Sequence, residues 1–200
     1  DAAINGARLV NIWRNDDFSV DVAAIEQYFD SGERAAKLIF VTSPNNPDGS
    51  PLPDEALARL LALPAVVVLD EAYVEFSGGS RIDWVRRYPN LIVLRTFSKW
   101  AGLAGLRVGY GAFPPDILAH LLKIKQPYNV NVAGQIAAQV SLEDSDLLLA
   151  RVKALVEQRD QFFNLLTQLE WLAPYPSQAN FILCRVKGRS ALDIKNELAR

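Results

Sequence analysis

Methionine is absent from all 200 residues, and cysteine and histidine occur once each. The single cysteine, Cys184, excludes an intramolecular disulfide and any multi-cysteine zinc site. With His120 as the one histidine, metal chemistry has little to stand on, and no metal site is expected. Neither sign of charge dominates: 21 basic residues stand against 23 acidic ones, dispersed along the chain. A basic stripe for a nucleic-acid backbone is missing, as is an acidic solvating tail, so no nucleic-acid partner is expected. No segment has the length and uniform apolarity of a membrane span, and the first residues do not read as a secretory signal. The expectation is a cytoplasmic soluble protein with no membrane partner. No methionine opens the chain, and residues 190–200 (SALDIKNELAR) read as an amphipathic helix that stops without a capping glycine. The chain therefore reads as a piece of a longer protein.

Half of the residues are hydrophobic, enough for one substantial core. Short apolar runs alternate with helical patterns, which predicts an α/β fold: a mostly parallel sheet with covering helices. Residues 38–41 (LIFV), 66–69 (VVVL) and 91–94 (LIVL) are short and uncharged, and read as strands buried on both faces. Residues 53–63 have helical spacing between the first two. Residues 107–113 (RVGYGAF) read as a further strand in which Gly109 and Gly111 permit close approach of another backbone. Helices are predicted over 114–124, 133–142 and 144–169, the first opened by prolines suited to a first turn. Residues 179–186 then read as a strand of a different unit, the start of a smaller α+β domain. The expected division is 1–160 and 161–200.

In an open parallel sheet, ligands bind beyond the carboxyl ends of the strands. After LIFV come residues 42–49 (TSPNNPDG), after VVVL residues 70–73 (DEAY), and after LIVL residues 95–99 (RTFSK). Each has a blander reading by itself. The Asn/Pro/Gly segment can be just a turn. Asp70 can be a helix cap or a metal-binding aspartate, and Lys99 a solvated surface lysine. The glycines of 102–109 (GLAGLRVG) match neither the dinucleotide fingerprint nor the phosphate loop, which counts against NAD and ATP. Polar groups at all three strand ends together leave a lysine-centred site open.

The combined pattern resembles the fold-type I pyridoxal-phosphate (PLP) enzymes, the aspartate aminotransferase superfamily. Residues 43–49 resemble its SPNNPTG motif, 70–76 (DEAYVEF) its DEAYxEF motif, and 96–110 (TFSKWAGLAGLRVGY) its cofactor-lysine signature. Residues 125–131 (KQPYNVN) and 176–181 (PSQANF) are similar to segments of one branch, the histidinol-phosphate aminotransferases. The resemblance implies that Lys99 holds pyridoxal 5′-phosphate as a Schiff base and moves the substrate proton. Asp70 would pair with the pyridine nitrogen. Asn46 and Tyr73 would donate hydrogen bonds to the ring O3′. Arg107, with the hydroxyls of Thr96 and Ser98, would hold the phosphate. It implies a cis Asn46–Pro47 bond and a homodimer whose second subunit completes the site. An aromatic residue over the ring and backbone phosphate donors would come from before residue 1. A carboxylate-binding arginine would come from after residue 200, so the piece alone is expected to be inactive.

Two positions depart from the family pattern: Asp48 stands where threonine is usual, and Trp100 where a small residue is common. Neither carries a catalytic role. His120 reads as a surface residue and Cys184 as a buried apolar thiol. Trp13, Trp84 and Trp171 read as packing residues. Tyr128, Asn129 and Asn131 read equally as core or turn residues or as the family's loop at the site. The leading function is amino transfer between histidinol phosphate and 2-oxoglutarate, both small molecules. An aromatic or broad-range aminotransferase, a threonine-phosphate decarboxylase and a non-enzymatic PLP-binding regulatory domain share the core motifs. A nucleotide-binding α/β domain is a further class, disfavoured because no phosphate-loop glycine pattern follows any strand.

Overall fold

The computed structural model describes residues 2–32 and 36–199. Three parallel strands, β1 (Leu38–Thr42), β2 (Val66–Asp70) and β3 (Leu91–Thr96), lie side by side in that order, and β4 (Gly109–Ala112) pairs antiparallel with β3. The expected α/β architecture is present. Helix α1 (Val22–Asp30) was not anticipated by the apolar pattern. Its start is fixed by Asp21, whose carboxylate accepts the Ala24 N–H at 2.9 Å. Helix α2 (Asp54–Leu61) fills the expected β1–β2 crossover.

One face of the sheet makes the main core. Val67, Leu69, Leu91 and Val93 point to the same side by strand alternation and are fully buried against Val22 and Ile25 of α1 and Leu57, Leu60 and Leu61 of α2. β1 departs from the expectation of burial on both faces. Leu38 is 53% and Phe40 71% exposed, because β1 stands at the sheet edge and no described element covers that side. In β4, a β-carbon on Gly109 would lie 2.9 Å from the Arg95 carbonyl, so the close approach expected there is real.

Helices α3 (Pro115–Leu121), α4 (Val132–Glu143) and α5 (Ser145–Leu166) follow the predicted order with ends moved by a few residues. The expected strand over 179–186 shortens to β6 (Cys184–Val186), which pairs antiparallel with β5 (Leu172–Pro174). Residues 178–181 bend instead, because the Gln178 N–H goes to the Gly49 carbonyl and the Ala179 N–H to Ser177 Oγ. Helix α6 (Ala191–Leu198) is capped by Ser190, whose hydroxyl accepts the Asp193 N–H; Arg200, the last residue of the helix expected here, lies outside the described residues. Cys184 is half-buried rather than buried, since β6 belongs to a two-stranded sheet. Trp84 packs on the core and stacks with Tyr88, whereas Trp13 is 85% exposed and packs against little. Among the described residues no helix is long and apolar enough to cross a membrane.

Leu69 sits wholly inside the core. In the full-length protein Leu69→Ala should cost about 3 kcal/mol of unfolding free energy, read from urea titrations. A loss below about 1 kcal/mol would mean that this layer does not carry the domain.

Candidate active site

β1 and β2 end at one level because Thr42 pairs with Asp70, while β3 passes Leu94, the partner of Asp70, and runs two residues further to Thr96. Alternation then puts Thr42, Asp70, Leu94 and Thr96 on a single face at the carboxyl edge. The turn after β1 carries Asn46 and is held by buried polar groups. The Thr42 hydroxyl donates to Asn45 Oδ1, the Asn45 amide donates to Asp48, and Asp48 Oδ2 accepts the Ser50 N–H at 2.8 Å. Arg14 reaches in from the N-terminal segment, donating to the Phe18 carbonyl at 2.7 Å and to Thr42 Oγ1 at 3.3 Å. Burial pulls the Arg14 guanidinium below its ordinary value, and Asp48 opposes that pull. Asp48 is thus an anchor of the turn, which accounts for its departure from threonine. Gly49 has φ +80, and a β-carbon there would collide with Ser177. Asn46–Pro47 is cis, as expected, and so is Ser43–Pro44.

Asp70 ends β2 with Oδ1 accepting the Ala72 N–H at 2.9 Å, which opens the turn that carries Tyr73. The buried Tyr73 hydroxyl accepts the Asn46 amide N–H at 3.0 Å. Its ring meets Phe181 edge-on at 5.2 Å, and Lys99 Nζ stands 5.1 Å from its centroid. Asn46, Tyr73 and Lys99, from three separate strand ends, therefore form one chain of contacts. Thr96 Oγ1 lies 2.9 Å from Ser98 Oγ and accepts the Ser98 N–H at 3.0 Å. Arg107 has left-handed backbone (φ 57) and donates to the Ala104 carbonyl at 2.8 Å, so its side chain is tied to its own turn and not to Thr96 or Ser98. The next residue, Val108, accepts the Phe97 N–H and keeps that turn beside the lysine segment. His120 is exposed, as expected. Among the described residues no group of three or more His, Cys, Asp or Glu could hold a metal.

Some residues with structural influence on the site were not singled out from the sequence. Glu71, 1% exposed, accepts the Arg95 Nε–H at 2.9 Å, the Ser80 hydroxyl at 2.7 Å and the Arg81 N–H at 2.6 Å. Arg95 Nη1 donates to Glu75 at 2.9 Å. Burial lowers the Arg95 guanidinium, but Glu71 and Glu75 outweigh it and the net direction is upward. Burial pushes the Glu75 carboxyl above its ordinary value, against the pull of its own N–H and of Arg95. Trp100, already visible in the sequence as a departure from the family pattern, joins the apolar cluster around Tyr73 to the cluster around Phe97, with its indole N–H buried and unpartnered among the described residues. The acids lay in plain view within DEAYVEF, and Arg95 is a charge at the end of an apolar strand, which is a usable signal.

The sequence model of the family described as aminotransferase class I and II matches residues 1–199. The chain belongs to that family. Among class I and II aminotransferases, it is 54% identical over 201 residues to the chloroplastic histidinol-phosphate aminotransferase of Nicotiana tabacum, covering 100% of this chain and 48% of that protein. It is 50% identical over 191 residues to the histidinol-phosphate aminotransferase of Roseiflexus castenholzii, covering 96% of this chain and 51% of that one. The crystal structure of the Sinorhizobium meliloti histidinol-phosphate aminotransferase, in complex with pyridoxal-5′-phosphate, superposes with a TM-score of 0.84 at 32% identity. That match covers 97% of this chain and 53% of the other. The chain spans about half the length of the curated relatives it matches.

Because the folded form raises the Glu75 carboxyl, it binds a proton to higher pH than the unfolded chain does. The contribution of Glu75 to stability is fully present below the ordinary carboxylate range and is lost as pH rises through the raised value. Glu75→Gln in the full-length protein should therefore lose less stability than the parent across that range, measured by urea unfolding at stepped pH. Parallel losses in both proteins would remove Glu75 as the cause.

Proposed function

We propose that this chain is the cofactor-holding part of a PLP-dependent aminotransferase that transfers the amino group of histidinol phosphate to 2-oxoglutarate, a step of histidine biosynthesis. The observation that carries the reading is the contact chain Asn46–Tyr73–Lys99 at the carboxyl edge of the sheet, with Asp70 at the end of β2, the strand that leads into Tyr73. The donor set fits the cofactor: an amine for its aldehyde, a carboxylate for its ring nitrogen, and a guanidinium and two hydroxyls for its phosphate. The choice of substrate rests on the names of relatives at 50–54% identity.

Pyridoxal phosphate, when bound, supplies an aldehyde to capture the substrate amine and a ring that accepts the electron pair released at the α-carbon. The protein's part is holding and proton movement. The Lys99 amine would hold the cofactor covalently and, when free, would be the group that takes and returns the proton of the substrate α-carbon. Asp70 would keep a proton on the pyridine nitrogen. Asn46 and Tyr73 would donate hydrogen bonds to the cofactor O3′. Thr96 and Ser98, together with Arg107 once its guanidinium leaves the Ala104 carbonyl, would hold the phosphate, for which a guanidinium fork is suited. We assign residues 1–160 to the cofactor domain and 161–200 to the start of a smaller one. The working assembly is a homodimer, with the rest of the site supplied by chain outside these residues and by the partner. The proposed compartment is the cytoplasm; the tobacco relative is named as chloroplastic, and fractionation of the source cells decides between the two.

The full-length protein should be yellow, and borohydride should lock the cofactor onto Lys99, found by peptide mass. Lys99→Ala should abolish that link and cut turnover by about 10³-fold or more. Asp70→Ala should cut it by about 10²-fold or more. Normal turnover in the Lys99 variant would end the mechanism. Turnover with aromatic amino acids but not with histidinol phosphate would move the substrate assignment.

A further inference from the structure

Arg95 stands one residue before Thr96 and four before Lys99, yet strand alternation aims it at the opposite face of the sheet. It touches none of the groups assigned to the cofactor. Its guanidinium instead grips two carboxylates that flank Tyr73 at equal distance in sequence: Glu71 at 2.9 Å and Glu75 at 2.9 Å. The side chains of all three are nearly buried. Between the acids runs the turn that presents Tyr73, closed by the Val74 N–H on the Glu71 carbonyl and the Phe76 N–H on the Tyr73 carbonyl, both at 3.1 Å. Glu71 is also held by Ser80 and the Arg81 N–H, so that end of the turn has several anchors. Glu75 has fewer. Its Oε2 is buried without a partner among the described residues, and Arg95 is the cation the structure gives it.

We infer that Arg95 is a positioning residue: it clamps both ends of the Tyr73 turn to β3, the strand that leads into Lys99, and so fixes the Tyr73 ring and its hydroxyl beside the lysine segment. A planar fork can hold two carboxylates at once in fixed directions, whereas an ammonium group cannot fix both. The Lys99 Nζ to Tyr73 ring distance of 5.1 Å spans two strand ends, and Arg95 is the charged side chain joining those ends from below. Displacements of about 1 Å at a reacting group are enough to cost large factors in rate. The inference rests on the cofactor reading above, because it assigns Tyr73 a donor role toward O3′.

The test uses the full-length, cofactor-loaded protein and follows the pH midpoint of its visible absorbance. A Tyr73 hydroxyl that donates to O3′ holds this midpoint down, so a loosened Tyr73 raises it. Arg95→Lys keeps the charge and removes the fork. Glu75→Gln removes a negative charge, which by charge alone would lower the midpoint. Both variants are expected to raise it, by about half a unit to one unit, and to lower kcat about tenfold or more with KM little changed. A midpoint matching the parent in Arg95→Lys, or a lowered or unmoved one in Glu75→Gln, overturns the inference even where melting temperatures fall. Should the arginine variant fail to fold, the sign in Glu75→Gln decides. If the parent itself has no visible band and borohydride leaves Lys99 unmodified, the cofactor reading falls, and the inference falls with it.

Discussion

Because β1, β2 and β3 run parallel with Thr42 opposite Asp70 and Asp70 opposite Leu94, β1 and β2 finish at one level and β3 two residues later at Thr96. Each following segment then leaves the sheet from the same edge, and the polar groups it carries have only a few residues of free chain in which to diverge. Asn46 is four residues beyond its strand, Tyr73 three beyond, and Lys99 three beyond, which is short enough for register to govern position. A slip of one residue in any pairing would turn a strand's core residues outward and its site residues away. The main core of Val67, Leu69, Leu91 and Val93 makes such a slip costly. Packing on one face of the sheet thereby protects the geometry at its edge.

The edge is rich in polar groups that water cannot fully reach, and the protein meets that cost with local pairing. Below the Tyr73 turn, one arginine serves two carboxylates; Glu71 Oε2 takes the Ser80 hydroxyl beside the Arg95 Nε–H, and Glu71 Oε1 takes the Arg81 backbone N–H. In the β1 turn, Asn45 and Asp48 satisfy each other and the Ser50 N–H, with Arg14 closing the set from outside. Buried ion pairs add little net stability once desolvation is counted, but losing one partner is severe. Their value here is directional. They allow the chain a single arrangement at the places where Asn46 and Tyr73 must stand.

The parallel strands were legible in the sequence because uncharged apolar runs separated by helical spacing have few other solutions in a chain this size. The strand ends were legible because ligand groups in such a sheet collect there. Helix α1 was missed although its signals were present: Asp21 as a cap, then Val22, Ile25 and Phe29 at helical spacing. The excess length given to β6 has a different origin. FILC is strand-like, but whether residues 179–181 join a strand depends on the Gly49 carbonyl, some 130 residues earlier in the chain. The clamp by Arg95 was illegible for the same reason. DEAYVEF and LRTFSK each show their charges, and nothing local says that these charges meet.

That long-range contact at Gly49 also explains why residues beyond the long helix bear on the site. The Gly49 carbonyl accepts the Gln178 N–H at 2.8 Å, and Ser177 occupies the space a β-carbon on Gly49 would need. Arg159 of α5 donates to the Ala179 carbonyl at 3.0 Å and to the Phe76 carbonyl at 3.3 Å, tying segment 177–181 to the end of the Tyr73 turn. Phe181 completes the attachment by meeting the Tyr73 ring edge-on. The segment leading into β6 is thus fastened to both turns that carry the Asn46–Tyr73 pair. Through these contacts the segment leading into β6 is joined to the residues that would align the cofactor ring.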